Sequence, residues 1–210
     1  DYTSARWAEM AGVDVAVVGD SLAMIAHGHP STIPATMEMM VMHALAVRRG
    51  APNTFVLGCM PYQSYHTVDR ALANATRFMQ EALCDAVKPQ GGRSQAHILK
   101  ALVDAGIPTA SHIGLTPHTI AMFGGFKIQG RTADAAMKIL EDALAIEDDL
   151  GVALPGVAPA GDAGDAVGLV SHDEVEGGPR RVLLGLGDAG RGGVRAEDDA
   201  ATVALEEGGD

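Results

Sequence analysis

"VDVAVVGDSLAM", residues Val13 to Met24, runs an apolar segment straight into an aspartate and a serine with no turn between them. Val15, Val17 and Val18 are β-branched and close together, which predicts a buried strand. Asp20-Ser21 then has two readings. The pair can stop the strand and cap a helix. Alternatively, the strand delivers a carboxylate and a hydroxyl to the rim of a parallel sheet, where α/β folds collect their chemistry.

The flanking sequence alternates helix and strand. "TSARWAEMAG" (Thr3 to Gly12) predicts a short helix capped by Thr3 or Ser4 and stopped by Gly12. After the loop "SLAMIAHGHPST", "TMEMMVMHALAVRRG" predicts a Met-rich helix ended by Arg48, Arg49 and Gly50, with Met39, Met40 and Met42 read as packing residues. "TFVLGCM" is a strand, and "TVDRALANATRFMQEAL" a helix capped by Thr67. "DAVKPQ" (strand), "SQAHILKALVDAG" (helix) and "IPTASHIG" (strand) follow. In "TADAAMKILEDALAIEDD", Ala136, Ile139, Leu140 and Leu144 are expected to share the buried face of an amphipathic helix. Such alternation implies parallel strands with right-handed crossovers, in a doubly wound sheet or a (β/α)8 barrel. No G-x-G-x-x-G follows the first strand, which disfavours the dinucleotide-binding version.

The strand ends carry Gly19-Asp20-Ser21, Gly58-Cys59-Met60-Pro61, Lys88-Pro89-Gln90-Gly91-Gly92 and Ser111-His112. Taken singly, each has a bland explanation: a cap for Asp20, a buried thiol for Cys59, a solvated Lys88, a hydrogen-bonded His112. Four successive strands placing such groups at one rim point instead to a shared site.

Composition bounds the function class. A net charge of -12 argues against a nucleic-acid surface. No apolar run approaches the ~18 residues of a membrane span. Two cysteines give no disulfide framework, so a reducing, cytoplasmic setting is expected. The first residue is Asp, which suggests a trimmed or partial chain. Residues 151–210 hold 12 acidic and 4 basic residues, 14 of the 26 glycines and only eleven residue types. Those types are the ones GC-rich codons encode, as when such a gene is read out of frame. The stretch from 150 to 210 is expected to be an irregular acidic tail, disordered or out of frame.

"VVGDSLAM", "GHPSTIPAT", "HALAVRRGAPN", "MPYQSY", "HIGLTPHTIAMFGGFKIQGR" and "DALAIED" together resemble the ketopantoate hydroxymethyltransferase family, in order, from Asp1 to about Asp148. The resemblance implies an α/β fold of (β/α)8 TIM-barrel type, incomplete at both ends and spanning residues 1–149. It also implies a homo-oligomer and a Mg²⁺ site. The implied reaction moves a one-carbon unit from 5,10-methylenetetrahydrofolate onto 3-methyl-2-oxobutanoate, giving 2-dehydropantoate for pantothenate and coenzyme A synthesis. The implied partners are thus a small 2-oxo acid and a folate, with no nucleic acid and no membrane. Asp20, in "GDS", would ligate the metal and bind substrate. Ser21 and Lys88 would hold the substrate carboxylate, and His112 would help orient it.

The match has gaps. Where the family has an aspartate before Met-Pro or Leu-Pro, this chain has Cys59, and where it has a glutamate two residues after the lysine, this chain has Gln90. Both are expected metal ligands. The family's general-base glutamate, in a Leu-Glu-x-Val-Pro context, has no counterpart in "LGVALPGVAPAGDAG". The competing expectation is a non-catalytic member of the family serving at most as an oligomer partner.

Overall fold

The computed structural model describes residues 1–150 and three short strands beyond them, at 167–170, 182–184 and 202–203. The chain divides into two compact units: residues 1–90 with 97–110, and residues 91–96 with 111–210.

In the first unit, α1 (Tyr2–Met10) leads to β1 (Val15–Val18), α2 (Leu22–Ile25) and α3 (Met37–Gly50). Then come β2 (Phe55–Cys59), α4 (Val68–Gln80) and β3 (Ala86–Lys88). The three strands form one parallel sheet in the order β1-β2-β3. Val18 lies opposite Gly58, and Cys59 opposite Lys88. β2 is central and its last four residues are buried, as expected of a strand covered on both faces. β1 is at the edge, and its Val17 is 43% exposed.

Local chemistry sets the helix limits. The Thr36 and Thr67 hydroxyls accept the Met39 and Arg70 N–H groups at 3.2 and 3.4 Å, starting α3 and α4 where the sequence predicts. α1 begins earlier than predicted: Asp1 is its cap, its carboxylate accepting the Thr3 and Ser4 N–H groups, while the Ser4 hydroxyl donates back to Asp1. The loop after β1 also winds into α2, a single turn too short for periodicity to reveal.

Met40, Ala44 and Val47 of α3, and Ala71, Ala75 and Phe78 of α4, join Val56 and Met60 in the core of this unit, together with Ile98 and Leu102. Of the three methionines read as packing, Met40 is fully buried and Met39 packs against the core, but Met42 is 59% exposed. At the amino end of the strands Arg48 acts as a clamp. It pairs with Asp85 and donates to the carbonyls of Leu83 and Thr54 at 2.8 and 3.0 Å. Asp85 in turn accepts the Val56 N–H at 2.7 Å, tying α3, β2 and the start of β3 together.

The next elements are α5 (Ala96–Asp104), nearly all of it in the first unit, and β4 (Ala110–His112), of which Ser111 and His112 are counted in the second. The second unit contains the short α6 (Ile120–Phe123) and the long α7 (Ala133–Leu150). On α7, Ala136, Ile139 and Leu140 are half-buried as expected, but Leu144 is exposed and Ile146 is the fully buried residue. Within the expected irregular tail, β5 (Val167–Val170), β6 (Val182–Leu184) and β7 (Thr202–Val203) pair antiparallel in sequence order. The rest of 151–210 lies outside the described residues, including the stretch in which no general-base glutamate is found.

Phe78 packs over the backbone of β2 because residue 58 has no side chain. A Cβ there would meet the Phe78 ring at 2.5 and 2.8 Å and the Cys84 sulfur at 3.2 Å. Gly58→Ala is therefore expected to lower unfolding free energy by about 1–3 kcal/mol through overpacking, read as a lower urea midpoint. An unchanged midpoint would mean that Phe78 does not pack there.

Candidate active site

The parallel register places the carboxyl ends of β1, β2 and β3 side by side, and the polar residues follow from it. Cys59 ends β2 opposite Lys88, and the Met60 N–H extends the ladder to the Lys88 carbonyl at 3.0 Å. Asp20 lies two residues past the end of β1 and is 6% exposed. Gln90, equally buried, reaches the Asp20 carboxylate with its side-chain N–H at a long 3.5 Å.

Cys59 is buried between opposite charges. Burial pushes its thiol pKa up and the Asp20 charge adds to this, while the Lys88 ammonium, within hydrogen-bond reach of the sulfur, opposes it. The net direction is upward, so the sulfur remains a thiol at neutral pH. Tyr65 is the member of this cluster that sequence reading missed. Its hydroxyl accepts the Gln90 backbone N–H at 3.1 Å, and burial, with the charge of Asp20, raises its pKa. "MPYQSY" stands out as a motif, but nothing in its spacing says that its last residue folds back onto the end of β3.

Ser21 occupies the cap position of α2, yet its hydroxyl makes no capping bond and its side chain is exposed. Capping therefore does not account for the serine. Among the described residues, two hydroxyls from neighbouring motifs, Thr32 Oγ1 and Ser64 Oγ, are buried and meet no hydrogen-bond partner. His112 belongs to the second unit. It is half-buried at the end of β4, and its carbonyl accepts the Gly91 N–H at 2.8 Å. In the same unit Ser111 donates to the Gly91 carbonyl at 2.7 Å.

Magnesium takes near-octahedral oxygen ligands and is usually held by carboxylates and water. The rim of the first unit offers one carboxylate, one neutral amide and one protonated thiol. Among the described residues no group of three or more His, Cys, Asp or Glu is placed to hold a metal. The donor set does not fit a Mg²⁺ site of the expected kind, because a thiol is soft and the amide adds no charge.

These features define a parallel α/β protein with a buried acid, an amine, an amide and a phenol at the strand ends of its sheet. A sequence model of ketopantoate hydroxymethyltransferase matches residues 1–154. The chain belongs to that family. It is 88% identical over 148 residues to 3-methyl-2-oxobutanoate hydroxymethyltransferase 1 of Methylibium petroleiphilum, covering 70% of this chain and 50% of that protein. It is 51% identical over 148 residues to a Thermus thermophilus 3-methyl-2-oxobutanoate hydroxymethyltransferase, covering 70% and 57%. A Geobacillus relative is 48% identical over 155 residues, covering 73% and 56%. The chain spans about half the length of the curated relatives it matches.

Both cysteines are free and buried, and burial raises the Cys84 pKa to about 12. A thiol whose pKa is raised gains thiolate only at higher pH, so at pH 8 neither is nucleophilic. Ellman's reagent should find no fast-reacting thiol in the native chain and two after unfolding in guanidinium. A native thiol reacting at the unfolded rate would contradict the burial of this site.

Proposed function

We propose that the chain acts in hydroxymethyl transfer onto 3-methyl-2-oxobutanoate, with 5,10-methylenetetrahydrofolate as one-carbon donor and 2-dehydropantoate as product. The carrying observation is that Asp20, Cys59, Lys88 and Gln90 converge at the ends of three adjacent parallel strands, in a chain of this family. Lys88 pairs as a point charge with the substrate carboxylate, and the exposed Ser21 hydroxyl donates to the same group. Asp20, kept in place by the Gln90 amide, supplies the negative charge on the other side of the substrate. Tyr65 positions Gln90 through its backbone.

In this reading β1, β2 and β3 are consecutive strands of a (β/α)8 barrel spanning residues 1–149, followed by the acidic tail. The exposure of Val17 on the outer edge of β1 supports a ring that is open at that edge among the described residues. Met122, Phe126 and Ile128 are exposed apolar side chains in one family motif, which supports association into a homo-oligomer. Unpaired Cys59 and Cys84 support a cytoplasmic setting. No helix among the described residues is long and apolar enough to cross a membrane.

Purified chain incubated with both substrates is expected to form 2-dehydropantoate, read by mass spectrometry. Lys88→Ala should lower kcat/KM by about thirtyfold or more, chiefly through KM, since losing one partner of a desolvated charge pair costs about 2–5 kcal/mol. Absence of both product and 2-oxo acid binding would overturn the proposal.

The mismatched donor set gives a second expectation. The double variant Cys59→Asp with Gln90→Glu restores two carboxylates and should raise Mg²⁺ affinity at least about tenfold by calorimetry, with a metal-dependent rise in Tm. Equal Mg²⁺ affinity in the two proteins would show that residues 59 and 90 do not face the ion.

A further inference from the structure

In the first unit, two imidazoles that the proposed function does not use meet edge to face. His27 Nε2 and His43 Nε2 are 3.1 Å apart, with ring centroids at 5.2 Å and planes inclined by 79°. Their backbones are fixed by separate elements. His43 stands on α3 between buried Met40 and Val47 and directly before buried Ala44. His27 sits in the turn that closes α2, where its N–H donates to the Leu22 carbonyl at 3.2 Å and the His29 N–H donates to the Ala23 carbonyl at 2.9 Å. Gly28, at φ +70°, makes that reversal possible.

We propose that His27 and His43 form a two-imidazole site for a borderline divalent transition cation such as Zn²⁺, Ni²⁺ or Cu²⁺. The separation is the deciding quantity. With metal–nitrogen bonds of ~2.0–2.1 Å, ligand angles between about 90° and 109° put two nitrogens roughly 2.9 to 3.4 Å apart. The observed 3.1 Å lies inside that window, so the two nitrogens already stand at ligand spacing and a tilt of the rings would aim both at one cation. Imidazole is a preferred ligand for these metals and a poor one for Mg²⁺. His27 is exposed, which leaves the remaining coordination positions to water. Burial lowers the pKa of His43, keeping its ring neutral and its lone pair available at neutral pH. Two ligands hold less tightly than the four of a closed structural site, so binding is expected in the micromolar range.

The test uses the full chain and the metal alone. Calorimetric titration with Zn²⁺ at pH 7.5 should show a micromolar site of one equivalent that Mg²⁺ does not fill. Both His27→Gln and His43→Gln should weaken that site at least about tenfold. His27→Gln is the decisive variant, because the side chain is exposed; circular dichroism melting without metal reads its fold. Zn²⁺ should also raise the Tm of the wild-type chain and not that of His27→Gln. No saturable site below about 100 µM, or undiminished affinity in His27→Gln, would leave the pair as an imidazole–imidazole hydrogen bond only and overturn the proposal.

Discussion

Everything in the first unit is referred to the two ladders that β2 makes, one to β1 and one to β3. Parallel pairing lets each strand leave the sheet on the same side, and register decides which residue leaves at which level. Because Val18 faces Gly58 and Cys59 faces Lys88, the residues that follow emerge together at one edge. Slipping either pair by one position would turn the Cys59 or Lys88 side chain to the opposite face of the sheet. The register is held from the other end by Arg48 and Asp85, and from one face by Phe78 lying against a glycine.

Most of this frame was legible because it is local. Thr36 and Thr67 announce their helices through a hydroxyl three residues before the N–H it accepts, and "TFVLGCM" reads as a strand, which the structure places at Phe55–Cys59. The mismatches have local causes too. Asp1 outcompetes Thr3 and Ser4 as a cap because its carboxylate takes two N–H groups at once. Leu144 lies one turn beyond Leu140, but spacing cannot say how wide the covered stripe is, and Ile146, two turns beyond Ile139, takes the buried place.

The candidate site was legible in its members and not in its wiring. Asp20, Cys59, Lys88 and Gln90 could be named from strand ends and from the family motifs. Tyr65 could not, since its partner is 25 residues away and the contact is to backbone. The electrostatic character also needed coordinates. With a thiol and an amide in place of two carboxylates, Lys88 and Asp20 are opposite charges flanking a neutral sulfur, and the rim lacks the carboxylates that a divalent ion needs.

The most direct check is a crystal structure of the chain with 3-methyl-2-oxobutanoate. The substrate carboxylate should lie within hydrogen-bond distance of Lys88 Nζ and Ser21 Oγ, with Asp20 facing the same molecule. Finding the ligand elsewhere, or finding the Asp20 and Lys88 side chains in separate cavities, would contradict the claim that one sheet edge gathers them into a single site.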